Sequence, residues 1–539
     1  MLDGVSAGVV SPDPDTRARA FIERAIASVE SGDHGSAMAD LQEAEQIAQA
    51  QGITELIAAV RINQGYASGV QGDRDAAVRL YRDAAEIARE NEDPDRLKIA
   101  LANLSVELRA ANEHEEAAAT LGEYAALLRE DEAEARVHAY IDRGLSFLEM
   151  GDEQSAAENL DEADRIATEA ESTDLIYLTT MNQGYLYART EDLTTARMVF
   201  ERAVKLARES GTSGTLRDAL VNLAQVNRNL GFSSEADTLY TEIEEICRKT
   251  GDSAALADAL YWHGMTLQTL RRSQQALAKW REEEPIRRQL GQEGYLADCL
   301  HAQADALRRR GAHDAADPLY VEAIGIYERL GISHILPSAY FWHGRSLWVA
   351  GRTEESLARA NEAIEAATEE NDADILRRTH GLRAMAAADL GDIASATEAL
   401  DTAESLCEQG GAHSTMVWML ARRAYVLARD GRSPDEVGEQ LRRAHQYGLE
   451  DGQYDASRST VRRLVSNIND RCGDAYLQPL ENLVAELRAE IDALTNTDMP
   501  PWSGVPSAAE EPAPAKADAG ERTAPTPEPE GESQDDEES

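Results

Sequence analysis

Residues 63–81 read NQGYASGVQGDRDAAVRLY, and residues 182–200 read NQGYLYARTEDLTTARMVF. In both segments a glycine precedes a turn by seven residues, an alanine follows the turn by five, and an aromatic residue comes four positions later. Positions four apart lie on one face of an α-helix, where a large side chain can fill the space beside a small one. The stretch therefore predicts two helices joined by a short turn.

The same pattern recurs along most of the chain, with turns spaced 40 residues apart except for one interval of 39. These turns fall at Gly32, Gly72, Asn112, Gly151, Glu191, Gly231, Arg271, Gly311, Gly351, Gly391 and Gly431. In Gly-Asp turns such as Gly32-Asp33, the glycine stops one helix and the aspartate can cap the next. We therefore predict eleven antiparallel helix pairs. A single pair cannot bury its own apolar face, so neighbouring pairs are expected to stack.

The pattern of small residue, turn, alanine and large apolar residue resembles the tetratricopeptide repeat over about residues 16 to 450. The period of 40 differs from the usual one of about 34 and is similar to that of kinesin light chains, LGN-type polarity adaptors and bacterial peptide-sensing regulators. The resemblance implies an all-α fold, an α-solenoid of about 11 to 12 repeats wound as a right-handed superhelix. Two units depart from the pattern: Ala360 replaces a large apolar residue, and Glu283 and Pro285 are expected to interrupt a second helix.

Four segments are expected. Residues 1–15 are predicted to be a flexible leader, residues 16–453 the helical array, and residues 454–495 a twelfth helical pair that caps it. Residues 496–539 hold eight of the 16 prolines and many acidic residues, a composition that predicts a disordered tail.

The chain carries 53 basic and 99 acidic residues, a net charge of −46. Such a field repels polyanions, so nucleic acid is not an expected partner. No apolar run approaches the roughly 20 residues that span a bilayer, which argues against a membrane protein. The four cysteines form no C-x-x-C pair, which indicates a reducing cytoplasm. A saline cytoplasm and a high-GC genome both account for the acidic, lysine-poor composition, and the sequence does not separate them.

No cluster of nucleophile, base or metal ligand survives the repeat alignment, so we expect no enzyme, no cofactor and no metal ion. His263 and His343 occupy the same place in two units, but 80 residues of chain separate them. We expect both to pack against neighbouring helices rather than to share a metal ion.

A polar position recurs two residues before the small residue of the first helices and holds Asn63, Asn103, Asn182 and Asn222. Asparagine is a mediocre helix former, so its recurrence indicates a compensating role. The resemblance places this face along a concave groove, where the amides would form a ladder that bonds the backbone of an extended peptide. In the alternative, each asparagine bonds its neighbouring helix and fixes the angle between repeats.

Arginines and tyrosines stand near the ladder: Arg109, Arg189, Arg228, Arg308, Arg309, Tyr66, Tyr185 and Tyr425. The arginines are candidates for holding carboxylates of a peptide in a bidentate fork, or for pairing with acidic residues of adjacent helices. The tyrosines are candidates for stacking on a ligand or for packing in the core.

These features predict a cytoplasmic, non-enzymatic adaptor that binds an extended segment of a protein partner. The alternative is a regulator that senses a short peptide, although the leader leaves no room for a DNA-binding or effector domain. The lysine-rich clamp of chaperone-binding repeats is missing, since Ile62, Ala102, Met181 and Val221 hold its place. Asp498 to Trp502 of the tail could occupy the groove, or the tail could serve solubility alone. The sequence reveals neither the partner nor the oligomeric state.

Overall fold

The computed structural model describes residues 13–210, 212–450, 465–468, 470–472 and 476–495. These residues contain α-helices and one short 3-10 turn, and no β-strand occurs among them. None of their helices is both long and apolar enough to cross a bilayer.

All eleven predicted helix pairs are present, and the prediction of an all-α solenoid is confirmed. The first helices are α1 (Pro14–Glu30), α3 (Thr54–Val70), α5 (Pro94–Ala110), α7 (Ala133–Glu149), α9 (Thr173–Arg189), α11 (Ser213–Asn229), α13 (Ser253–Thr269), α15 (Glu293–Arg309), α17 (Leu336–Val349), α19 (Ala373–Asp389) and α21 (His413–Arg429). The second helices are α2 (His34–Gln51), α4 (Arg74–Glu90), α6 (His114–Leu127), α8 (Glu153–Glu169), α10 (Leu193–Ser210), α12 (Ser233–Thr250), α14 (Ser273–Leu290), α16 (His313–Leu330), α18 (Thr353–Glu369), α20 (Ile393–Gln409) and α22 (Pro434–Glu450). The 3-10 turn, Ser333–Ile335, precedes α17.

The ends of the array are described in part. Helix α1 begins at Pro14 with Asp13 as its N-cap, so the helix starts inside the predicted leader. Residues 1–12 of that leader lie outside the described residues. After α22, residues 465–468 and 470–472 are helical, and helix α23 (Leu477–Thr495) packs on α22. The predicted tail, with the segment Asp498 to Trp502, also lies outside the described residues.

The chain divides into two compact units, Met1–Thr266 and Leu267–Ser539, called here the first and second units. In the first unit α1 contacts α3, α3 contacts α5 and α7 contacts α9; in the second, α15 contacts α17, α17 contacts α19 and α19 contacts α21. Successive second helices make no comparable contact within the described ranges. Neighbours in a curved stack lie closest together on its inner side. The first helices therefore form the inner face of each unit.

The turns inside the pairs have the predicted geometry. All eleven turn residues have a positive φ, between 59° at Arg271 and 84° at Gly391. The carboxylate of Asp33 accepts a hydrogen bond from the Ser36 amide at 3.0 Å, and Asp392 caps its helix in the same way. A glycine stop followed by an aspartate cap thus joins the two helices.

Small residues on the first helices accept the large residues of the second helices. A Cβ added to Gly65 would lie 2.8 Å from a ring carbon of Tyr81, and one added to Gly184 would lie 2.5 Å from a ring carbon of Phe200. Both rings are buried, as are the rings of Tyr240, Trp280 and Tyr320 at the same position of later pairs. The core is therefore a row of large side chains, one for each of these pairs, pressed against small ones.

One prediction about the fold is wrong. Helix α14 runs without a break from Ser273 to Leu290, with Pro285 inside it, although Glu283 and Pro285 were expected to interrupt it. Proline removes one backbone hydrogen bond from a helix, and Pro285 lies on the exposed side. Glu283 is buried but pairs with Arg287 at 3.0 Å, one turn later. The helix continues because its packing, anchored by the buried Trp280, outweighs one lost bond.

Replacing Glu191 with glycine is expected to stabilise the α9–α10 pair by about 0.5–1 kcal/mol. Glu191 is an exposed residue with a φ of 61°, a conformation that is strained for any residue with a Cβ. Hydrogen exchange of α9 and α10 measures the change. The control is Gly231→Ala, which places a Cβ at the equivalent turn, where φ is 83°, and should lower the protection of α11 and α12. Weaker protection in the Glu191→Gly variant would contradict the expectation.

Candidate functional site

The four asparagines lie half-buried on the inner-face helices α3, α5, α9 and α11. In each one, Nδ2 donates to the backbone carbonyl four residues earlier in the same helix. These bonds measure 2.8 Å from Asn63 to Ala59, 3.0 Å from Asn103 to Ile99, 2.9 Å from Asn182 to Leu178 and 2.9 Å from Asn222 to Asp218. Each of these bonds closes within one helix, and none of the four reaches a neighbouring helix.

This bond uses one of the two Nδ2 hydrogens and sets the orientation of each amide. With Nδ2 held by the helix backbone, Oδ1 is the atom that can accept a further hydrogen bond. No described residue donates to Oδ1 of Asn63, Asn103, Asn182 or Asn222. The inner face of the first unit therefore carries four oriented acceptors, each on its own helix pair.

Exposed apolar side chains flank two of these asparagines. The exposed fractions are 43% for Tyr66, 51% for Val70, 50% for Ile99 and 59% for Val106. Tyr66 and Val70 stand three and seven residues after Asn63, while Ile99 and Val106 stand four before and three after Asn103. Residues at these spacings share a helix face. The sequence pattern indicated Tyr66 but not the other three, although they stand at helical spacing from the asparagines.

Four of the five candidate arginines pair with carboxylates inside the protein. Arg109 pairs with Asp142, the residue that holds the ladder position on α7. Arg189 lies 3.3 Å from Glu149. Arg308 and Arg309 both pair with Asp305, at 2.6 and 2.7 Å. For these four, pairing with acidic residues is the alternative that the structure shows. The positive charges of Arg308 and Arg309 hold the pKa of the Asp305 carboxyl below its usual range, against the opposing effect of burial.

Arg228 differs from the other four. Its guanidinium lies 4.4 Å from the ring centroid of Trp262. Burial raises the pKa of the Tyr240 hydroxyl, and the nearby positive charge of Arg228 opposes the shift. Within the part of the chain that the structure describes, no aspartate or glutamate forms an ion pair with Arg228.

The three candidate tyrosines have different surroundings. Tyr66 is exposed, whereas Tyr185 is half-buried and its hydroxyl accepts a hydrogen bond from Arg189 at 3.1 Å. Tyr425 is fully buried and donates its hydroxyl hydrogen to Asp389. The possibility that Tyr425 adds stacking surface for a ligand is therefore wrong, since its ring belongs to the core of the second unit.

The two repeated histidines pack in the core, as predicted. His263 lies 2.7 Å from Asp237 and its ring stacks on Tyr240, with ring centroids 6.0 Å apart. His343 lies 2.8 Å from Asp317, and burial lowers its pKa. Among the described residues, no group of three or more histidine, cysteine, aspartate or glutamate side chains is arranged to hold a metal ion.

A family model described as tetratricopeptide repeat matches residues 181–210, which cover most of the α9–α10 pair. The helix pairs of the chain are tetratricopeptide-like repeats. Parts of this tetratricopeptide-repeat array, residues 62–112, 210–269 and 345–382, also match the family model of anaphase-promoting complex subunit 5. No curated protein matches the sequence.

Several solved structures are similar to the array. A signal transduction ATPase with numerous domains and a tetratricopeptide repeat sensor, from Pyrococcus horikoshii, matches at 12% identity and a TM-score of 0.46, over 68% of this chain and 55% of that one. The apo form of the quorum sensor NprR from B. thuringiensis matches at 15% identity and a TM-score of 0.41, over 64% of this chain and 97% of that one. Kinesin light chain-like repeats from Podosopora anserina match at 20% identity and a TM-score of 0.32, over 38% of this chain and 100% of that one.

Proposed function

We propose that this tetratricopeptide-repeat protein is a non-enzymatic adaptor whose first unit binds an extended segment of a protein partner along its inner face. The observation that carries the proposal is the set of four asparagine acceptors, Asn63, Asn103, Asn182 and Asn222, all oriented by bonds to their own helices.

The asparagines suit the backbone of an extended chain. Such a chain presents an N–H group about every 3.3 Å, and an amide oxygen accepts it whatever side chain the residue carries. Because the bond to the helix already fixes each asparagine side chain, little rotamer freedom is lost on binding. This preorganisation favours affinity.

The exposed apolar residues supply the rest of the surface. Tyr66, Val70, Ile99 and Val106 are about half exposed on adjacent inner-face helices that contact each other. Burying apolar surface contributes about 25 cal/mol per Å², so a segment that lies across α3 and α5 gains both apolar contact and backbone bonds. A net charge of −46 disfavours nucleic acid at the same surface and supports a protein partner.

Replacing Asn182 and Asn222 together with alanine is expected to abolish retention of the principal partner in a pull-down from the native host. Alanine is the better helix former, so circular dichroism should show unchanged helicity. The matched control replaces Asn361 and Asn482, which are exposed on α18 and α23 and lie off the inner-face helices, and should leave retention intact. Full retention by the Asn182 and Asn222 variant would refute the groove.

The melting temperature of the wild-type protein distinguishes an adaptor from a peptide-sensing regulator. A ligand that binds only the folded protein raises its melting temperature. Protection from heat by the isolated partner, and not by short peptides from a host extract, supports the adaptor. Protection by a short peptide alone would favour the sensor.

A further inference from the structure

We infer that Arg228, lying over the ring of Trp262, binds the side-chain carboxylate of an aspartate or glutamate in the bound segment. This inference rests on the proposed function, because it names the chemistry of a residue in the segment that the inner face binds.

The eighth helix pair shows what such an arrangement holds. Arg308 lies 4.2 Å from the ring centroid of Trp342, a residue on the next first helix. Its Nε and Nη2 donate to one oxygen of Asp305, at 2.9 and 2.6 Å. The hydroxyl of Tyr320 donates to that same oxygen at 3.3 Å. Arginine, tyrosine and tryptophan thus surround one carboxylate of the protein itself.

The sixth pair and the first helix after it have an arginine, a tyrosine and a tryptophan at the equivalent positions, but they have no equivalent of Asp305. Arg228, Tyr240 and Trp262 each lie 80 residues before Arg308, Tyr320 and Trp342. Arg228 lies over the Trp262 ring, and its positive charge opposes the rise that burial causes in the pKa of Tyr240. The residue 80 positions before Asp305 is Gln225, which is neutral and exposed. The sixth pair therefore has the arginine, the ring and the hydroxyl without an internal carboxylate.

The chemistry of the site favours an acidic side chain. A guanidinium that lies over the face of an indole ring keeps its five N–H donors, whose fork geometry suits a carboxylate. A charge-assisted hydrogen bond is stronger than a neutral one, so a glutamate is favoured over a glutamine. The segment's backbone is already engaged by the asparagines, and Asp305 shows that a carboxylate on a side chain fits. We therefore assign the site to a side chain and not to a chain terminus.

The position of Arg228 agrees with the ladder. Arg228 follows Asn222 by six residues on α11, about 9 Å along the helix axis. Because the proposed segment crosses the helices, this offset must be spanned by the long side chains of Arg228 and of the acidic residue.

The test uses the full chain and two pools of synthetic peptides with blocked ends. Each peptide is about nine residues long, roughly 30 Å when extended, with neutral degenerate positions around a central residue fixed as glutamate in one pool and glutamine in the other. Fluorescence anisotropy should show the wild-type chain binding the glutamate pool about tenfold more tightly. Arg228→Gln should abolish this preference. Gln225→Asp should abolish it as well, because the new carboxylate copies Asp305 and occupies Arg228.

Two control variants test whether the preference depends on Arg228 itself and on the charge at position 225. Arg208→Gln removes an arginine of α10 that pairs with Glu242, and Gln225→Asn keeps position 225 neutral. Both should retain the tenfold preference.

The outcomes distinguish this inference from the proposed function. Equal binding of both pools by the wild-type chain, with loss of binding in the Asn182 and Asn222 variant, overturns the carboxylate site and leaves the adaptor standing. Binding of neither pool, with full partner retention by that variant, refutes the groove itself. A third pool carries glutamine and a free C-terminus, and its tighter binding than the blocked glutamate pool would overturn the assignment to a side chain.

Discussion

Replacing Asp389 with alanine is expected to destabilise the second unit by about 3 kcal/mol, the low end of the range for breaking a buried charge cluster. The Asp389 side chain is only 7% exposed. It accepts a hydrogen bond from the Trp348 indole nitrogen at 2.9 Å and another from the Tyr425 hydroxyl. It also pairs with Arg429 at 3.1 Å and with Arg471.

The loss is large because so many groups share one carboxylate. Alanine would leave two partly buried guanidinium groups without their shared counter-ion, and the indole and the hydroxyl without their acceptor. Arg471 also donates to the backbone carbonyl of Trp348 at 2.6 Å and lies 4.1 Å from its ring centroid. Asp389 thus connects residues 470–472 to the C-terminal ends of α17, α19 and α21.

Native-state hydrogen exchange on the full chain measures this effect by segment. Protection should fall in α17, α19 and α21 and stay unchanged in α3 to α10. The control is Asp401→Ala, which removes an exposed carboxylate paired with Arg423, a residue that keeps its bond to Glu404. An exposed pair contributes about 0–1 kcal/mol. A loss at Asp389 no larger than at Asp401 would contradict the expectation.

Replacing Gly184 with alanine is expected to destabilise the α9–α10 pair by about 1–3 kcal/mol. The added Cβ would lie 2.5, 2.7 and 2.8 Å from three ring carbons of Phe200. Phe200 is buried among tightly packed neighbours, so its ring can move away only by displacing them.

A double-mutant cycle tests whether the clash between the added Cβ and the Phe200 ring causes this loss of stability. Phe200→Leu alone should cost stability through lost packing, but it should also reduce the cost of Gly184→Ala, since the ring that clashes is gone. The control is Gly214→Ala on α11, where no atom lies within 4 Å of the added Cβ. That variant should hold its stability or gain up to about 1 kcal/mol. Additive effects of the changes at positions 184 and 200 would show that the contact is not the source.

The sequence was a good guide to the repeat because a helical hairpin depends on residues close together in the chain. Each of the eleven predicted turn residues has a positive φ, including Asn112, Glu191 and Arg271, which are not glycines. They were identified because they stand at the position of the 40-residue repeat that holds glycine in the other units. The wrong prediction, at Pro285, came from weighing a local preference without the packing that overrides it.

The candidate site was predictable only in part. The sequence located the asparagines, but each could have faced a ligand or another helix. It also placed Arg109, Arg228 and Arg308 in similar positions. The structure separates Arg109, which pairs with Asp142, from Arg228, which lies on Trp262. Asp142 and Trp262 each belong to the helix pair after that of the arginine, 33 and 34 residues along the chain. The repeat pattern alone does not identify such contacts.

The sequence by itself determined the number of helix pairs, their turns and the small-to-large packing within each pair, because these depend on separations of a few residues and on one strict period. Only the tertiary structure decided which charges are neutralised inside the protein, which apolar side chains stay exposed, and that Asp389 binds Arg471, 82 residues away. Electrostatic pairing and burial depend on distances in space, and those distances exist only once the pairs have stacked.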